Sequence, residues 1–202
     1  MLAPFTLHSR FGRALTIGVA VCFLVILVVS AVAGRWLDVL LMLAPLGLVG
    51  FVTWALFWRP AIHVDDAGVR VRNVFRTIDV AWPEIVRIDT KYALTFDTVH
   101  GSVTAWAAPA PGRHSIYSAT KQDGGNLPES TYINGTVRPG DLITSDSGQA
   151  AFVIRSRWEA LRDAGHLDSS ASEYSKLRTT WHVRTLVALA ALIAASVLSA
   201  LV

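Results

Sequence analysis

Arg70 and Arg72 stand two residues apart in Gly68-Val69-Arg70-Val71-Arg72. In an extended strand both side chains therefore leave the same face. Two guanidinium groups side by side suit a phosphate, because each planar fork can hold two of its oxygens. Solvation of strand-face charges is the ordinary alternative, and His63, Asp65 and Asp66 lie close before the pair. Asp65 and Asp66 have no third carboxylate beside them, so a turn is expected there and not a metal site. His63, His100, His114, His166 and His182 show no HxxxH spacing, which argues against zinc. Ser115, Ser118 and Ser130 lack the GxSxG setting of a nucleophile, and no Gly-rich phosphate loop follows a strand. No catalytic residue, metal or cofactor is expected. Trp106 is of interest because its parity opposes that of Val103 and Ala105. That puts it on the outer face of its strand, packed under the following loop or anchoring a protein partner, as tryptophan often does.

Period-two alternation is what places these residues. Ile62 and Val64 alternate with His63 and Asp65, and Asp65-Asp66-Ala67-Gly68 supplies a turn with glycine for a positive φ. Val69 and Val71 follow, then Ile78 and Val80, and Trp82-Pro83-Glu84 interrupts the run because proline cannot donate to a ladder. Val86 and Ile88, Leu94 and Phe96, and Val103 and Ala105 complete six short strands, with a turn at His100-Gly101. Pro109–Ser147 is a long polar connection in which Val137 and Leu142-Ile143 offer a further strand. Asp146 and Gln149 have capping-box spacing. Ala151, Ile154, Trp158 and Leu161 then mark one helix face, with Arg155, Arg157, Glu159 and Arg162 on the other, and Gly165 ends the helix.

Composition sets the surroundings of this domain. Of 202 residues, 52% are hydrophobic and 16% charged, against about 25% charged in an ordinary soluble domain. Three stretches, 14–33, 39–58 and 185–202, carry no ionisable side chain except Cys22. Each has the length of a transmembrane helix, about 20 residues. The single cysteine excludes a disulfide framework within the chain. The intervening region is nearly charge-balanced, so no nucleic-acid surface is expected. Arg10, Arg13, Arg59, Arg70, Arg72, Arg76, Lys176, Arg178 and Arg184 flank the spans on one side, against Arg35 alone on the other. By the positive-inside rule the N-terminus and polar domain are cytoplasmic and the C-terminus is outside. Ala31-Val32-Ala33 mimics a signal-peptide cleavage site, but the apolar run exceeds the usual length of about 7–15 residues and a second span follows. The expected organisation is a two-helix transmembrane hairpin in 1–58, a polar domain in 59–168, and a linker (Asp168–Ser175) with a third span in 169–202. Ala188, Ala191, Ala195 and Ser199 form a small-residue stripe on that span, suited to helix packing or a homo-oligomer.

Ile62-His63-Val64-Asp65-Asp66-Ala67-Gly68-Val69-Arg70-Val71-Arg72-Asn73, followed by Val80-Ala81-Trp82-Pro83-Glu84-Ile85-Val86-Arg87-Ile88, resembles the bacterial pleckstrin-homology (PH)-like domains. These domains are often attached to membrane spans in GC-rich Gram-positive bacteria. The resemblance covers about Pro60–Ala108 and, by position, the helix at Gln149–Leu161. It implies an α+β fold in which two roughly orthogonal antiparallel sheets are closed by a C-terminal helix, beside three transmembrane helices. It also implies a non-enzymatic binding or scaffolding module. Arg70 and Arg72 resemble the second-strand basic pair by which some PH domains hold inositol phosphates, although His63 stands where a lysine is usual. Three readings follow. The protein is a multi-pass plasma-membrane protein whose domain binds a protein partner at the inner leaflet, a sensor of anionic lipid head groups, or a structural subunit that associates through its spans.

Overall fold

The computed structural model describes residues 4–110, 139–141, 145–167 and 177–201. The chain divides into two units. One comprises the described residues up to His8 and those from Pro60 to Thr180; the other comprises Ser9–Arg59 and the residues from Trp181 onward.

The first unit is α+β. Strands β2 (Ala61–Val64), β3 (Gly68–Arg72) and β4 (Arg76–Ala81) pair antiparallel, with Ile62 opposite Val71 and Val71 opposite Ile78. Two further strands join this sheet from the far ends of the chain. β1 (Phe5–Leu7) pairs with β2, and β8 (Arg178–Trp181) lies beside β4, giving the order β1-β2-β3-β4-β8. Neither was visible as periodicity, since three or four residues contain too few alternations to stand out. A second sheet holds β5 (Ile85–Asp89), β6 (Ala93–Thr98) and β7 (Gly101–Pro109) in chain order. Ile62, Val64, Val69, Val71 and Val80 from the first sheet and Leu94, Phe96, Val103 and Ala105 from the second are buried in one core. Full burial of each larger side chain contributes about 1.5–3 kcal/mol. A helix, α3 (Asp146–Asp163), packs Ala150, Ala151 and Ile154 into the same core.

Three local expectations are corrected. In β5 the inward residues are Ile85 and Ile88, while Val86 is 59% exposed. A bulge between Ile85 and Arg87 breaks the alternation there, as an extra unpaired residue must. Gly68 does not take a positive φ. The turn is held by Asp65, whose carboxylate accepts from the N–H groups of Ala67 and Gly68. Glycine is required because a Cβ would sit 2.1 Å from the Val80 carbonyl oxygen. The cap of α3 is Ser145, whose hydroxyl accepts from Gly148 N–H at 2.9 Å, so Asp146 is already in the first turn. Gly165 ends this helix at φ 71°, as its position suggests. The strand suggested by Val137 and Leu142-Ile143 and the linker Asp168–Ser175 lie outside the described residues.

The second unit is helical. α1 (Arg10–Val32) starts at Ser9, whose hydroxyl accepts from Gly12 N–H. It reverses at Gly34, which takes φ 72°, into α2 (Trp36–Thr53). α2 runs on through a π-helical turn, Trp54–Trp58, and α4 spans Val183–Ala200. The three helical segments, of 23, 23 and 18 residues, are long and apolar enough to cross a membrane. Gly12 allows a close crossing, since a Cβ there would lie 2.5 Å from the Phe57 carbonyl oxygen. α4 reaches α2 through Leu192, which lies 3.8 Å from a Cβ built on Gly47. Ala188, Ala195 and Ser199 of the small-residue stripe are half-buried, while Ala191 is exposed.

Candidate functional site

Antiparallel register builds a polar row across the outer face of the five-stranded sheet. Thr6 stands opposite His63, His63 opposite Arg70, and Arg70 opposite Asp79. These contacts are real hydrogen bonds at both ends of the row. Thr6 Oγ1 and His63 Nδ1 lie 2.9 Å apart, and Arg70 Nε donates to Asp79 Oδ1 at 2.5 Å. The Asp79 carboxylate, through that hydrogen bond and its charge, raises the Arg70 pKa further. His63 is held below its ordinary value of 6.5, chiefly by burial and then by the positive charge of His8, Arg70 and Arg72; Asp65 opposes the shift. The His8 and His63 rings meet edge to face at 6.4 Å.

Arg70 and Arg72 thus share one face, but they do not form an open cationic pair. Arg70 is ion-paired across the strands, and Arg72 stands opposite Thr77. A cleft of about 330 Å³ borders Arg70, and its wall alternates in charge: Asp65, Asp79 and Glu84 with Arg70 and Arg178. Glu84 is buried and caps the Trp82–Glu84 turn by accepting from Ala81 N–H at 2.9 Å. Carboxylates this close disfavour a phosphate, whose charge they repel.

Trp106 lies on the other sheet. Val103, Ala105 and Ala107 of β7 are buried, and Trp106 between them is 54% exposed, on the outer side that its parity indicated. Its backbone N–H donates to Asn73 Oδ1 at 2.8 Å, and Asn73 Nδ2 donates to Thr104 O at 2.8 Å. One amide side chain in the β3–β4 turn therefore clamps the strand on either side of Ala105. Asn73 follows Arg72, so the end of the arginine strand and the tryptophan strand meet at this clamp.

A second polar cluster was not legible beforehand. Arg155 was expected on the outward face of α3, yet it is buried, with its side chain 3% exposed against 1% for Asp141. Arg155 Nη1 donates to Asp141 Oδ1 at 2.5 Å and Nη2 to Ile88 O at 3.0 Å. Thr90 Oγ1 donates to the same Asp141 oxygen at 2.6 Å. Ser147 Oγ donates to Gly140 O, and a Cβ on Gly140 would sit 2.0 Å from Thr90 O. The periodic clue existed: Ser147, Ala151 and Arg155 are spaced by four along the buried face. Its partner could not be found, since Asp141 sits in a short 3₁₀ turn, Pro139–Asp141, with no pattern of its own. The cluster closes the edge of β5, because Trp158 Nε1 also donates to Ile85 O at 3.2 Å. Capping a strand edge with a helix blocks its pairing with other chains.

Among the described residues no group of three or more His, Cys, Asp or Glu side chains is arranged to hold a metal ion. Residues 59–128 match the family model described as the bacterial PH domain. No curated protein and no solved structure matches the chain.

Proposed function

We propose that this chain, with a bacterial PH-like region at 59–128 and three helices able to cross a membrane, is an integral membrane protein. In this reading its PH-like unit is a non-enzymatic protein-binding module at the inner leaflet. Trp106 carries it. A large ring left half exposed on a strand whose opposite face is core, with its backbone clamped by Asn73, is a pre-organised anchor. Ordering such a ring costs little on binding, and buried tryptophans dominate interface energetics.

The cytoplasmic placement follows from the arginine asymmetry; strand pairing bears only on whether the two ends of the hairpin share one side. β1 and β2 are neighbours in one sheet, although α1 and α2 separate them in the chain. The hairpin must therefore leave and return on the same side of a bilayer. The head-group reading of Arg70 and Arg72 is disfavoured by Asp79, which already occupies the Arg70 guanidinium.

The test is crosslinking in cells followed by co-purification of the tagged full-length chain, beside Trp106→Ala and a version lacking residues 111–138. That deletion spares Asp141 and Ser147 and so keeps the buried cluster. A defined protein partner should be recovered with the parent chain and reduced at least about tenfold by Trp106→Ala. Equal recovery with Trp106→Ala, or no protein partner at all, refutes the reading.

A further inference from the structure

The helical unit has strongly unequal ends. At the turn between α1 and α2, Arg35 is ion-paired with Asp38. Arg10, Arg13, Arg59 and Arg184 stand at the opposite helix ends, and Asp38 is the only carboxylate side chain among the described residues of this unit. Specific contacts tie Arg13 and Arg59 into this end. The Arg13 guanidinium lies over the Trp58 ring at 5.3 Å, one residue before Arg59. Arg59 lies over Trp54 at 5.7 Å, and its Nη1 donates to the buried Thr185 hydroxyl at 2.5 Å, one residue after Arg184. The π-helical turn Trp54–Trp58 supplies both rings. An insertion of this kind is common where function, not helix stability, sets the geometry. The close crossing at Gly12 and Phe57 brings α1 against that turn.

From this arrangement we infer that the arginine end of the three-helix unit is a binding site for the phosphate of an anionic phospholipid, formed by Arg13, Arg59 and Arg184. Arg13 and Arg184 are exposed and Arg59 is half-buried beside them, and a guanidinium prefers a phosphate oxygen as partner. Tryptophan itself favours the head-group level of a bilayer. The source is a lipid and not a soluble phosphate because exposed apolar side chains adjoin the cluster: Phe11 and Leu15 on α1, Leu186 and Val187 on α4. Acyl chains cover such a surface. Basic pockets between helices at a membrane face bind anionic head groups by the same physics.

The inference rests on the reading of these helices as spans, and the experiment separates the two. Full-length protein in neutral detergent is titrated with equimolar dioleoyl-phosphatidylglycerol and dioleoyl-phosphatidylcholine, and retained lipid is counted by native mass spectrometry. Phosphatidylglycerol should be retained about tenfold over phosphatidylcholine. Arg13→Gln with Arg59→Gln should abolish that preference. Arg184→Gln, which removes only an exposed side chain, should lower it with unchanged helical circular dichroism. Arg70→Glu with Arg72→Glu should leave it intact. Equal retention of both lipids overturns the site, and retention of neither overturns the membrane reading itself. Loss of preference in the Arg70/Arg72 variant moves the site to the sheet and also overturns the inference. Competition by glycerol phosphate at equal concentration does so too, since it would make the acyl chains irrelevant.

Discussion

The α+β unit contains two arginine–aspartate pairs of the same length, 2.5 Å, at opposite extremes of burial. Arg70 and Asp79 meet on the outer sheet face with side chains 56% and 31% exposed. Arg155 and Asp141 meet under α3 at 3% and 1%. In water-rich surroundings an ion pair contributes little, because solvent screens the attraction and ordering two side chains costs entropy. In the interior the desolvation penalty is heavy, so such a pair persists only where further hydrogen bonds complete it. Thr90 and the Ile88 carbonyl supply two such hydrogen bonds here, while Asp141 Oδ2 is buried without one among the described residues. Equal geometry therefore serves two ends: the outer pair tunes surface charge, while the inner pair holds the Pro139–Asp141 turn and α3 against β5.

The largest predicted effect breaks the inner pair. Asp141→Ala should destabilise the unit by about 3–5 kcal/mol, read as a fall in Tm of the full-length chain, because the Arg155 charge stays buried. Replacing both partners, Asp141→Leu with Arg155→Met, should recover much of that loss, since no buried charge remains. Next comes the cap that starts the same helix. Ser145→Ala removes the acceptor for Gly148 N–H and should cost about 1 kcal/mol in the same assay.

Smaller still is the pH dependence of the outer face. His63 titrates below its ordinary 6.5 when folded, so the unfolded chain takes up the proton first as pH falls. The stabilisation from neutral His63 is complete above about pH 6.5 and declines as pH drops from there toward the lowered folded value. His63→Gln should flatten the Tm profile over that window; an unchanged slope would show that other groups set it. The smallest effect belongs to the outer pair. Arg70→Ala should change stability by no more than about 1 kcal/mol. A loss comparable to Asp141→Ala would erase the distinction between the two pairs.

Much of the architecture was legible in the chain. Period two located β2 to β7, because a half-buried strand must alternate, and the three uncharged stretches located the long helices. Arg70 and Arg72 on one face, and Trp106 on the outer one, followed from parity alone. What parity could not supply was the partner of each residue. Asp79 neutralises Arg70 only because the β3–β4 register places them opposite, and Asn73 clamps Trp106 only because two sheets meet at that turn. Val86 turned outward since a bulge, invisible in the alternation, intervened.

The sequence by itself determined which segments are apolar enough for a membrane, which alternate as strands, and which end of the helical unit carries the arginines. These are properties of local composition and spacing, set by burial and backbone period. Only the tertiary structure decided that Phe5–Leu7 and Arg178–Trp181 complete the sheet, that Arg155 is buried on Asp141, and that Arg13 meets Trp58 and Arg59 meets Thr185. Each of those depends on contacts between residues distant in sequence, and their free energy is gained only once the chain has closed the loops between them.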